Sequence, residues 1–256
     1  MSNASMTRAY SCVLHLYPAH IRAIYGAEMR ESFESRPSDL SVVRPPNVGK
    51  RGSTERRRNE TVAFDIARTA LLAMDCQTGI VSVYAKPQEE FLNRATSVVR
   101  AAREAGMAVI HVRVGFRPGL PEVSSRNKFF SGIKSSPQHQ KLFEGDLASV
   151  HPSLIDEQND IVVTKHRVDA FAGTDLEMVL RARDITSLVM FGIATSGVVL
   201  STLLYACDAD YQLAVVSDCC ADLNLELHRV LITQLFPQRA TVMTASEFAG
   251  VLTTSR

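Results

Sequence analysis

The sequence predicts an α/β protein: one doubly wound domain around a mostly parallel sheet of six strands. Three observations carry that expectation. From about Thr69 onward, short apolar runs alternate with longer segments of helical periodicity, the order that crossover connections between parallel strands impose. Several runs, Ala70-Leu71-Leu72-Ala73-Met74 and Val189-Met190-Phe191 among them, are apolar without interruption, as strands covered on both faces must be. And 256 residues, 46% of them hydrophobic, suffice for a substantial core plus an appendage.

The appendage is at the front. Met1-Ser2-Asn3-Ala4-Ser5 reads as a cloning remnant, and residues 1–35 as a whole as a helical extension, with Leu14, Leu16, Ile21, Ile24, Tyr25, Met29 and Phe33 on its apolar face. About twenty of these residues, including Tyr17-Pro18, Arg22 and Tyr25-Gly26, are similar to a segment found ahead of some bacterial transporter permeases, but no membrane span follows. Residues 36–66, with Pro37, Pro45-Pro46, Gly49, Gly52 and Arg56-Arg57-Arg58, cannot bury enough apolar surface to offset their ordering entropy. A disordered linker is expected there, and the folded domain over 67–256.

The charge balance, 28 basic against 27 acidic residues, gives no sign of a nucleic-acid or anionic-membrane partner. Residues 1–60 carry a local excess of four positive charges, more simply read as solvated than as a binding patch. Five cysteines are an odd number without paired metal-ligand spacing, which points to a reducing, cytoplasmic setting. No apolar stretch reaches the 18 residues a membrane helix needs.

Within the domain the first strand is Ala70–Met74, closed by Asp75. Pro87 opens a helix that Gly106 ends, and Met107–Val114 is the second strand. Gly115 to about Ser149, broken by Pro118, Pro121 and Pro137, is too long for a passive connection and is expected to be an irregular lid or binding loop. Ile161–Thr164 is the third strand, ending at Lys165; a helix capped by Gly173-Thr174-Asp175 runs to about Arg183; Thr186–Phe191 is the fourth strand. Small residues then turn the chain at Gly192-Ile193-Ala194-Thr195-Ser196-Gly197 into a helix with Val199, Leu203 and Ala206 on its apolar face. Tyr211–Ser217 and Ala240–Met243 are strands five and six, with helices over Leu225–Leu235 and Ala245–Val251.

Three strand ends carry chemistry. Asp75, Lys165 and the turn Thr195–Val198 all fall at carboxyl ends of parallel strands, which converge on one crevice. A carboxylate beside an ammonium in a partly dry crevice can carry a proton and stabilise charge. Free N–H groups of the turn, from Thr195 to Val198, would face an anionic or oxyanionic ligand. The plainer reading leaves Asp75 a turn former, Lys165 a surface residue, and Thr195 and Ser196 simple helix caps.

Ala70 to Gln77, then Val163-Thr164-Lys165-His166-Arg167 with Ala170-Phe171, then Gly192 to Thr195 through Ser201-Thr202, resemble the isochorismatase-like (cysteine hydrolase) superfamily of nicotinamidases, carbamoylsarcosine amidases and isochorismatases. The resemblance spans about 68–252. It implies a three-layer α/β/α Rossmann-like sheet, homodimers or higher oligomers, no cofactor, and a site pairing Asp75 with Lys165. It also implies a cis peptide at Ile193-Ala194 and a substrate pocket with contributions from Gln77, Phe171, Thr195, Ser196 and Gly197.

The departure matters as much. Where the family carries its nucleophilic cysteine this chain has Val198, which has no lone pair with which to attack a carbonyl. Cys76 would point to the opposite face of an extended strand, and Cys207 lies nine residues, about 13 Å, further along the helix. Ser196 and Ser201 have no evident activating base in the sequence. The region of the second strand offers His111 alone, so no metal is expected. Isochorismatases proper resemble this chain in lacking the cysteine, and they hydrolyse a vinyl ether with an acid and a water. The sequence therefore predicts acid-catalysed hydrolysis of a small anionic substrate, with Asp75 as proton carrier, Lys165 as charge stabiliser and Arg117 as carboxylate clamp. Two other readings stay open: an inactive small-molecule binding module, and an amidase-type hydrolase using another nucleophile.

Overall fold

The computed structural model describes residues 64–254. The helical extension and all but the last three residues of the linker lie outside that range. Those last three are packed rather than loose: the Phe64 ring meets Phe248 edge-on at 6.2 Å between centroids, so the domain begins slightly earlier than composition suggests.

Six strands, β1 (Thr69–Met74), β2 (Ala108–Val114), β3 (Ile161–Lys165), β4 (Ser187–Gly192), β5 (Gln212–Val216) and β6 (Thr241–Met243), form one all-parallel sheet in the order β3-β2-β1-β4-β5-β6. Every residue of β1 and of β4 is buried, which is why neither alternates polar with apolar side chains. The order reverses beside β1, because β2 and β3 extend to one side and β4 to the other. The carboxyl ends of β1 and β4 thus flank the topological switch point, where open α/β sheets bind ligands.

Helices α1 (Thr78–Tyr84) and α2 (Gln88–Glu104) link β1 to β2. On α2, Phe91, Ala95, Val98, Val99 and Ala102 recur at helical spacing and are the buried stripe; Glu89 and Glu90 sit at its N-terminus and Arg103 at its C-terminus, matching the helix dipole. Between β2 and β3 the structure differs from an irregular loop. Two short helices occur there, α3 (Lys128–Lys134) and α4 (Pro137–Lys141), capped by the side chains of Asn127 and Ser136, followed by a 3₁₀ turn at Gly145–Ala148. Next come α5 (Leu176–Ala182), α6 (Leu200–Asp208), α7 (Leu225–Val230) and α8 (Ala245–Thr254). After β4, residues Thr195–Val199 form a wide π-type turn, broken at Gly197 (φ −101°, ψ −105°), and α6 begins at Leu200.

One close approach fixes the switch point. The Ile193 N–H donates to the Met74 carbonyl at 3.1 Å, drawing the exit of β4 onto the exit of β1. Gly192 sits at the contact with φ +155°, and a Cβ there would lie 2.2 Å from the Met74 oxygen. Gly192→Ala is expected to destabilise the domain by about 3 kcal/mol or more, read as a lowered denaturation midpoint at unchanged slope.

Candidate active site

Asp75 follows β1 directly. Its φ of +53° is a left-handed conformation that aspartate tolerates better than most residues, and its N–H donates to the Val112 carbonyl at 2.7 Å. Lys165 is the last residue of β3, one strand beyond β2. Register places Val114 opposite Lys165 and Val112 opposite Met74, so the lysine side chain reaches back over the end of β2 toward β1. It arrives: Lys165 Nζ lies 2.8 Å from Asp75 Oδ2 and also donates to the Arg167 carbonyl at 3.0 Å.

The pair is almost wholly covered, with Asp75 7% and Lys165 2% exposed. Asp75 Oδ1 is buried and has no hydrogen-bond partner, the neighbouring Val114 N–H being taken by Gln77 Oε1 at 2.8 Å. Burial pushes the Asp75 carboxyl above the ordinary carboxylate range; the Lys165 ammonium opposes this, and burial prevails.

The turn after β4 forms the third corner. The Ile193-Ala194 peptide is cis. Val198 is 1% exposed, whereas Ala194, Ser196 and Gly197 keep partial exposure. The expectation that the N–H groups from Thr195 to Val198 face a ligand needs correction. Three of those four are engaged within the protein: Thr195 N–H on the Ala221 carbonyl (2.9 Å), Ser196 N–H on Asp222 Oδ2 (2.8 Å) and Gly197 N–H on the Ala194 carbonyl (3.0 Å). A tight turn satisfies its own donors first.

Three further expected binding residues have protein partners instead. Gln77 is fully buried, with Nε2 donating to the Val114 and Ala148 carbonyls and Oε1 accepting from Val114 N–H. It ties both ends of the 115–149 excursion to the exit of β1 rather than reaching a ligand. The Arg117 guanidinium, 68% exposed, is paired with Glu122 at 2.6 Å, so the carboxylate it clamps is the protein's own. Phe171 is buried in a stack on Tyr205, 4.5 Å between centroids, beside Tyr211.

Two functional candidates escaped the sequence. Asp222, in the β5–α7 connection, accepts from Ser196 Oγ at 2.6 Å, and His228 Nδ1 lies 2.8 Å from Thr195 Oγ1. Neither has a fixed spacing from the turn; both arrive because residues after β5 run alongside it, with Ala221 bridged to Ile193. Among the described residues the buried cysteines offer no substitute nucleophile. Cys76 is buried with its thiol on the Met74 carbonyl, and burial holds the thiols of Cys76, Cys219 and Cys220 above their usual range. His111 is buried on Asp160 at 2.9 Å, where Arg103 also pairs. Among the described residues no three His, Cys, Asp or Glu side chains converge as a metal site requires. No described helix is long and apolar enough to cross a membrane.

The 115–149 excursion lies over this corner. Leu120, Val123 and Phe130 form a small apolar cluster with Phe116, Ile133 and Val168, and Val168 Cγ1 lies 3.9 Å from where a Cβ on Gly197 would be. Gln77 anchors it at both ends, so Gln77→Ala, which leaves buried Val114 and Ala148 groups unpaired, is expected to cost about 3 kcal/mol in denaturant unfolding. It should also raise hydrogen exchange across 115–149 above that of β4.

Comparison with known proteins places the chain in a family. A family model described as the Isochorismatase domain matches residues 69–247. The isochorismatase family protein YecD of Escherichia coli O157:H7 is 30% identical over 186 residues, 72% of this chain and 96% of that one. The ureidoacrylate amidohydrolase RutB of Methylobacterium radiotolerans is 31% identical over 204 residues, 70% of this chain and 77% of that one. An isochorismatase family structure from Burkholderia thailandensis is 30% identical, covers 73% of this chain and 96% of its own, and superposes with a TM-score of 0.65.

Proposed function

This chain belongs to the isochorismatase family of hydrolases, and on that premise we propose that it cleaves a small anionic substrate, at a vinyl-ether or related bond, by acid catalysis without a covalent intermediate. The observation that carries the reading is the Asp75 carboxyl: one oxygen lies on Lys165 and the other is buried without a partner, while the residue that the resemblance places at the nucleophile's position, Val198, is aliphatic. A carboxyl that burial favours in its neutral form is suited to hand a proton to an enol-ether carbon. The oxocarbenium ion so formed is captured by water and needs no thiol. Lys165, with two of its three N–H groups engaged by Asp75 and Arg167, has a third for the oxygen of the substrate's anionic end or leaving group.

A second reading is favoured by the amidohydrolase name of one relative: amide hydrolysis by a different nucleophile. The two separate on a substrate panel containing isochorismate as vinyl ether, maleamate as amide and a simple aryl ester. We expect turnover of the ether, and a fall in kcat of about 10²-fold or more in Asp75→Asn. The sign of the pH dependence follows from the acid role. The reactive form is protonated, so kcat falls as pH rises through the elevated Asp75 pKa. Turnover of the amide alone, or a rate indifferent to Asp75→Asn, would sink the acid mechanism.

A further inference from the structure

Four hydroxyls lie in the turn and the start of α6, and their partners distinguish them; Thr202 Oγ1 is buried and accepts the Ala170 N–H at 3.1 Å. Thr195 Oγ1 is buried between the Ala221 carbonyl (3.2 Å) and His228 Nδ1 (2.8 Å). Ser201 Oγ donates back to the Gly197 carbonyl at 2.8 Å. Ser196 alone is both partly exposed and bonded to a carboxylate, with its Oγ 2.6 Å from Asp222 Oδ2. That carboxylate is 8% exposed and held in place: Oδ2 also accepts the Ser196 N–H, and Oδ1 accepts the Asn224 N–H at 3.0 Å. Its segment adjoins the acid's: Ala221 bridges Ile193, whose N–H donates to the carbonyl of Met74, the residue before Asp75.

We propose that Ser196, backed by Asp222, holds and deprotonates the attacking water at the corner where the chain has lost its nucleophile. The proposal rests on the acid-catalysed reading above and supplies its second half. Ser196 Oγ gives its hydrogen to Asp222, which leaves its lone pairs to accept from a water. Asp75 protonates the terminal enol-ether carbon, forming a C–H bond as the double bond opens to an oxocarbenium ion. Water oxygen bonds to the other carbon of the former double bond, the one that carries the ether oxygen and the positive charge. One water proton moves to Ser196 Oγ while the serine's own proton moves to Asp222 Oδ2. When the hemiketal collapses, its hydroxyl proton returns to Asp75 and the proton on Asp222 passes back through Ser196 to the departing oxygen. One ether and one water become one ketone and one alcohol, with both carboxyl groups restored. Ser196 is the catalytic residue of this step and Asp222 a positioning residue acting through it.

Two measurements on the full chain test this. In crystals of the wild-type protein, an ordered water within hydrogen-bond distance of Ser196 Oγ on the side away from Asp222 is expected, and Ser196→Ala should lose it. Absence of that water from wild type, or its persistence in Ser196→Ala, overturns the proposal. With isochorismate, Ser196→Ala and Asp222→Asn should each lower kcat on the order of 10²-fold at nearly constant KM. The double variant should be no worse than either single one, and Ser196→Thr should recover much of the rate. Additive losses, a change in KM alone, or labelling of Ser196 by a fluorophosphonate, which would make it a covalent nucleophile, overturn it. Asp222→Asn keeps an acceptor for the turn, and its melting temperature separates loss of relay from loss of fold. If wild type turns over no ether at all, the acid mechanism fails, while the crystallographic water still decides the role of Ser196.

Discussion

The site depends on one ion pair made across a strand that contributes neither partner. Asp75 leaves β1 and Lys165 ends β3, and their 2.8 Å contact spans the end of β2. Withdrawing an ammonium and a carboxylate from water is costly, and a single contact seldom repays it. Here the lysine has an additional carbonyl acceptor at Arg167, whereas the carboxyl keeps one oxygen without a partner. The imbalance falls on Asp75, which is why burial, rather than its cation, sets the direction of its pKa. A stability-driven core would have replaced such a pair with apolar side chains; its presence at a topological switch point argues for chemistry.

Placing that pair requires the backbone to be exact around it. Asp75 is left-handed, Gly192 occupies a conformation closed to other residues, and the Met74 carbonyl accepts from Ile193. On the other side, Gln77 uses all its amide groups to fasten the beginning and end of the 115–149 excursion. That excursion carries its own small core against Val168, and Val168 borders Gly197. The acid and the lysine are themselves 7% and 2% exposed. Arg117, whose partner Glu122 is largely buried, is part of the closed cover rather than of the bound ligand's contacts.

The sheet was legible because its strands are written as unbroken apolar runs between helix-forming segments, and parallel order follows from that alternation. Asp75 and Lys165 were legible as strand ends. What escaped was set by contacts distant in sequence or by weak local signals. Helix α1 has no side-chain cap and carries Gly79, so nothing in its seven residues announces it. Helices α3 and α4 do carry caps, at Asn127 and Ser136-Pro137, but the prolines around them read as interruption. Gln77 was misread because an amide next to a catalytic acid suits substrate binding equally well on paper; only its three buried partners decide otherwise. Asp222 is 26 residues from Ser196, and no spacing rule links them.

By the resemblance drawn from the sequence, Val198 stands where the family carries its cysteine, and the proposed mechanism gives the rest of the turn a different use. A cysteine nucleophile would place the reacting atom on the helix start and make nearby hydroxyls supporting groups. Valine there is 1% exposed and closes that position to chemistry. Accessibility moves to Ser196 and Gly197, one of which has a carboxylate at hydrogen-bond distance. Serine is a poor nucleophile without a strong base, and a carboxylate alone is a weak one. The same pair is well matched to water adding to a cation, because a strong electrophile asks little of its nucleophile beyond position and a place for one proton. Under the proposed mechanism the acid and the hydroxyl–carboxylate pair divide the work that hydrolysis without a thiol requires.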